Sequence, residues 1–62
     1  MNFDKLSVLK RELSDLHARL QYQNFVLLIA KDHEVIETAQ ARVYMLKSMI
    51  ENTQQEISLF SV

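Results

Sequence analysis

Apolar residues along this chain fall into two ladders that climb in alternating steps of three and four, Leu6 to Ala30 and Ile36 to Phe60. The first runs Leu6, Leu9, Leu13, Leu16, Leu20, Gln23, Leu27 and Ala30; the second runs Ile36, Ala39, Val43, Leu46, Ile50, Thr53, Ile57 and Phe60. That spacing keeps one stripe of an α-helix apolar, the a and d positions of a heptad, with Gln23 and Thr53 as the polar members. The ladders are out of phase. Carrying the first register onward would place Glu34, Glu37, Ala41, Tyr44, Ser48 and Glu51 in the seam, a largely polar stripe. On an unbroken helix the second seam would point about 200° away from the first. A turn between Ala30 and Ile36 removes the conflict.

The pattern therefore predicts an all-α chain, a single domain spanning residues 1–62. Its form is an antiparallel two-helix hairpin (a helical coiled-coil hairpin), with helix 1 over about 3–30, a turn over about 31–34 and helix 2 over about 35–60. Once the chain reverses, residues whose numbers sum to 66 stand opposite one another, Leu6 with Phe60 and Leu20 with Leu46 among them. Asp32 suits the N-cap of the second helix, and Glu34 suits its first turn, where a carboxylate meets the positive end of the helix dipole. A connection of this length is ordinary between packed helices. The glycine on which many helices end is absent.

The flanks of the seam differ from each other. Every e position is polar: Lys10, His17, Asn24 and Lys31 in the first arm, Gln40, Lys47, Gln54 and Ser61 in the second. The g and c positions carry Val8, Tyr22, Val26 and Ile29 in the first arm, and Val35, Met45, Met49 and Leu59 in the second. In an antiparallel pair g lies beside g, so these eight residues form a second apolar face on one side of the hairpin. A lone hairpin would leave that face in water. The expectation is a homodimer in which two hairpins bury these faces together as a four-helix bundle. Glu12, Arg19, Arg42 and Glu56 share the flank, which allows Glu–Arg pairs between subunits. Phe25, Leu28 and Tyr44 fall at f and b positions near the turn, where a bundle surface normally carries charge. They are candidates either for local packing at the hairpin end or for docking another protein through aromatic anchors.

Composition narrows the possibilities. The chain has no Gly, Pro or Cys, which removes the residues most β-turns depend on, a disulfide framework and a thiolate nucleophile. The longest apolar run, Phe25 to Ala30, is far short of the roughly 20 residues of a membrane span. The opening Met-Asn-Phe-Asp does not read as a signal peptide, and a cytoplasmic protein is the expectation. Net charge is −1, with Lys5, Lys10, Arg11, Arg19 and Lys31 in the first arm and Asp32, Glu34, Glu37, Glu51 and Glu56 in the second. Opposite arms would attract, but the register sets Glu12 against Glu56 and His17 against Lys47, so charge does little to hold the hairpin. Nucleic-acid binding needs a basic footprint, and here Glu12 and Asp15 interrupt Lys10, Arg11 and Arg19.

Catalytic chemistry finds little purchase. A two-helix rod offers no concave pocket with convergent polar groups, and no catalytic residue, cofactor site or metal site is expected. His17 lies on the polar flank. His33, between Asp32 and Glu37 in sequence, could be drawn as a loose metal site, but no second His and no Cys stands near it. The segment Asp32-His33-Glu34-Val35-Ile36-Glu37, followed by Gln40, resembles the turn and second-helix start of the small helical-hairpin phosphatases that act on sporulation response regulators. That family carries Ser-Gln-Glu-Leu-Asp where this chain reads Ala39-Gln40-Ala41-Arg42-Val43. The acidic residue that carries the family's activity has no counterpart, so the resemblance implies the hairpin and not the reaction. In size and shape the chain is also similar to the hairpin co-chaperones of type III secretion needles, an analogy of architecture.

The functional expectation is a non-enzymatic protein–protein interaction module: a small self-associating regulator, inhibitor or chaperone-like adaptor that binds itself and another protein. The alternatives are a structural coiled-coil subunit whose second face is filled by a different chain, and a small RNA- or DNA-binding four-helix dimer.

Overall fold

The computed structural model describes residues 2–61, and the side chains of residues 4–60. The chain forms two helices, α1 (Asn2–Ile29) and α2 (His33–Ser61), joined by residues 30–32. A helix of 28 residues is about 42 Å long. The molecule measures 46 × 14 × 13 Å, so the helices lie side by side as a hairpin. No strand occurs among the described residues.

The reversal is made without left-handed backbone, since no residue has positive φ among those described. The Ala30 amide still donates to the Val26 carbonyl at 2.8 Å, the last bond of the α1 ladder. The stop comes from the other side of the linker. The Asp32 carboxylate accepts the amides of Glu34 at 2.8 Å and Val35 at 3.4 Å, and its carbonyl accepts the Ile36 amide at 3.0 Å. Asp32 is thus the N-cap of α2, satisfying amides that the first turn leaves without helical partners. Because the cap is Asp32, α2 begins at His33, and His33 and Glu34 belong to the helix.

Burial follows the two ladders closely. Leu9, Leu16, Ala39, Leu46, Ile50 and Thr53 are buried, and every other seam position but Phe60 is partly buried. The centre of the rod is the cluster of Leu16, Leu46 and Ile50, with Leu13 and Leu20 packed against it. These are a and d residues of facing arms, as the sum rule requires. Phe60 is the last ladder residue of α2, at the open end of the rod, and it is 37% exposed. The Lys5 ammonium sits 5.6 Å from its ring centroid, a cation–π contact that covers the face the seam leaves open.

Polar seam members are accommodated. Thr53 is buried, and no buried side-chain nitrogen or oxygen lacks a hydrogen-bond partner among the described residues. The Arg19–Asp15 ion pair at 3.0 Å and the His33–Glu37 contact at 3.1 Å each lie within one helix. No ion pair bridges α1 and α2 among the described residues, so packing of the seam holds the hairpin.

Candidate protein interface

The heptad sets where each remaining apolar side chain points. With a and d facing the partner arm, e falls on one side of the seam and g on the other. Lys10, His17, Asn24, Lys31, Gln40, Lys47 and Gln54 are all exposed on the e side. The eighth e residue, Ser61, lies outside the residues whose side chains are described.

On the g side the structure places all eight apolar residues at the surface or half-buried. Val26 is half-buried; Val8, Tyr22, Ile29, Val35, Met45, Met49 and Leu59 are exposed, from 45% at Val35 to 78% at Leu59. Three grooves run along this flank. The central one, about 510 Å³, is lined by Tyr22, Met45, Leu46 and Met49, with Ala18, Gln23 and the two guanidinium side chains Arg19 and Arg42. Toward the turn, Tyr22, Val26, Val35 and Ala39 line a second with Gln23, Glu34, Thr38 and Arg42. Toward the open end, Val8 and Leu9 line a third among Asp4, Lys5, Glu12 and Glu56. No e residue lines any of the three.

Phe25, Leu28 and Tyr44 form a different feature. They are 53%, 84% and 78% exposed, and the three-residue linker does not fold back over them. Phe25 and Leu28 are neighbours on α1, three residues apart on one face. Tyr44 stands on the outer shoulder of α2, and none of the three lines a groove described above.

Two features were not evident in the sequence pattern. The Lys5–Phe60 contact joins a g residue of α1 to the last seam residue of α2, and it needs both arms in place to be seen. Charge is also segregated along the flank. Asp4, Glu12 and Glu56 line the groove at the open end with Lys5 as its one basic residue, while Arg19 and Arg42 line the central one, which has no acidic lining residue.

Asp32 and His33 are engaged locally at the turn. Asp32 caps α2, and His33 Nε2 faces Glu37 Oε1 at 3.1 Å on an exposed surface. No group of three His, Cys, Asp or Glu side chains stands close enough to hold a metal ion among the described residues. No helix among them is long and apolar enough to cross a membrane.

No protein-family model matches the chain, and comparison with curated proteins and with solved structures finds no match. The resemblance over residues 32–40 is extended by none of them.

Proposed function

We propose that this hairpin is a non-enzymatic protein–protein interaction module, a small regulator or adaptor that self-associates through its g flank as half of a four-helix bundle. The observation that carries the reading is the asymmetry of the two flanks. Seven exposed apolar side chains and three grooves share one side of the seam, and the described residues at e on the other side are uniformly polar and exposed. A monomer gains nothing from holding Tyr22, Met45 and Met49 around an open groove, whereas burying each such side chain against a partner returns about 1.5–3 kcal/mol when complete.

The test is mass by light scattering across a dilution series, with helicity followed in parallel. The wild-type chain is expected to be dimeric, and Val26→Lys with Met49→Lys is expected to give monomer or unfolded chain. A wild-type chain that remains folded and monomeric at micromolar concentration overturns self-association. Folding rescued only by co-expression with a different protein would assign the face to a heteromeric partner.

A second surface belongs to the same reading. Phe25, Leu28 and Tyr44 lie off the g flank, so a bundle built on that flank leaves them free to contact another protein, with the two aromatics as anchors. Phe25→Asp with Tyr44→Asp should abolish capture of that protein while leaving the oligomer's mass unchanged. Loss of the oligomer itself would show that these residues belong to the bundle.

A further inference from the structure

The flank carries enough information to fix how two copies meet. We infer that the two hairpins pack head to tail, related by a two-fold axis crossing the rod at the level of Leu16, Ile50 and Met49; this rests on the self-association proposed above.

A two-fold axis relating two stacked hairpins lies in the plane between them, either along the rods or across them. An axis along the rods sets α1 of one copy against α2 of the other at the same height. Glu12 would then meet the Glu56 side of its partner, gathering Asp4, Glu12 and Glu56 of both copies against only two Lys5 side chains at the open end, and the Arg19 and Arg42 side chains of both copies would crowd together in the middle. An axis across the rods sets α1 against α1 and α2 against α2, each running in the opposite direction. Glu12 then meets Arg19 of the second copy, and Glu56 meets its Arg42. Like-charge contacts select against the first arrangement, and opposite-charge contacts set the register of the second.

The two charge pairs locate the axis separately. In α1 the midpoint of Glu12 and Arg19 falls between Asp15 and Leu16; in α2 the midpoint of Arg42 and Glu56 falls on Met49. Leu16 and Ile50 pack in the same cluster, so these midpoints lie at nearly the same height. An axis at that height brings each Glu to within about 2 Å, along the rod, of its Arg. It also lies near the middle of the rod, so the two hairpins overlap over most of their length.

Apolar positions obey the same operation. Val8 and Val26 are separated by eighteen residues, about five full turns, so they share one side of α1. The axis lays Val8 of one copy on Val26 of the other at both ends, and Met49, 47% exposed, meets its own counterpart. Arg19 already holds Asp15 at 3.0 Å within α1. In the dimer its guanidinium stands between that carboxylate and the incoming Glu12.

The chain has no cysteine, which makes single introduced cysteines clean reporters, since a disulfide forms only when the two Cα atoms come within about 7 Å. Met49→Cys is expected to oxidise to a covalent dimer. Val8→Cys alone should not, but mixed with Val26→Cys it should give the crossed dimer. Cross-linking of Val8→Cys to Leu59→Cys without self-linking of Met49→Cys would mean an axis along the rods and overturns the inference. A second measurement needs no disulfide. A chain carrying Glu12→Arg, Glu56→Arg, Arg19→Glu and Arg42→Glu should pair with itself and refuse wild type, whereas an axis along the rods favours the mixed dimer. Light scattering on the untreated wild type separates the two failures. A monomer overturns self-association and this register together; a dimer with the wrong cross-links overturns the register alone.

Discussion

Replacing Leu16 by Ala, and separately Leu28 by Ala, makes one chemical change at two sites of α1 whose surroundings differ. Leu16 is 7% exposed at the centre of the Leu16–Leu46–Ile50 cluster, and Leu28 is 84% exposed beside the turn. The substitution removes roughly three carbon groups, worth about 2.4 kcal/mol of transfer free energy when fully buried. Scaled by burial, the loss is about 2.2 kcal/mol at Leu16 and about 0.4 kcal/mol at Leu28. A residual cavity adds to the first figure, though a two-layer seam open on both flanks relaxes more than an enclosed core. We expect about 2–3 kcal/mol in all at Leu16, toward the low end of what buried Leu→Ala changes cost. At Leu28 the better helix propensity of Ala offsets part of an already small loss. Urea unfolding followed by circular dichroism measures both, with all chains at one concentration because association shifts apparent stability by mass action. A loss above about 1 kcal/mol for Leu28→Ala, or below that for Leu16→Ala, would mean that the chain buries a different face and would refute the seam.

Three further outcomes follow from the same geometry. Asp32→Ala removes the acceptor of the Glu34 and Val35 amides and should cost about 1 kcal/mol in the same unfolding assay, with Asp32→Asn recovering most of it. Ala39 is 2% exposed, so Ala39→Leu has no room at the seam and should destabilise by about 1–3 kcal/mol; a neutral result would show the arms are further apart there. Deleting His33 and Glu34 brings Ile36 four residues after Ala30 and unites the two ladders. Small-angle scattering should then report a rod near 90 Å in place of the 46 Å hairpin, and a compact deletion variant would refute the role given to the phase jump.

The helices and the seam were legible because burial repeats what the ladder states. Among the described residues, only Val26, outside the ladder, joins the seam residues among the half-buried or buried side chains, and only Phe60, inside it, is left exposed. Both exceptions have local causes that periodicity does not encode. Val26 borders the groove that Tyr22 and Val35 line on the g flank, and Phe60 stands in the last turn of α2 with the Lys5 ammonium over its ring. The absence of a glycine counted against a turn in the sequence, yet the structure needs none, because the stop is an Asp32 cap on the following helix. Of the candidate interface, the apolar flank was readable from the g and c positions. The opposition of Glu12 and Glu56 at one end was readable too, from the register; the gathering of Arg19 and Arg42 around one groove was not, since it depends on how far the side chains of the two arms reach.

The linker ties the phase jump to the self-association proposed above. Its residues, Ala30, Lys31 and Asp32, are all compatible with continued helix, and without glycine or proline no local element forbids a straight rod of about 60 residues. One cap worth about 1 kcal/mol is a weak guard against such a rod. The phase jump is a stronger one. In a straight chain the two seams point about 200° apart, so a second chain covering the first seam has its matching half on the wrong side of the second, and a swapped dimer of extended helices leaves apolar surface open. Folding back satisfies both seams within one chain and, by the same rotation, brings Val8, Glu12, Arg19 and Val26 of α1 onto the side that holds Arg42, Met49 and Glu56 of α2. In the dimer inferred here, this two-helix face exists only in the folded-back state. The proposed association would therefore draw on the hairpin and not on the rod, each increment of dimer affinity adding to the preference for the turn.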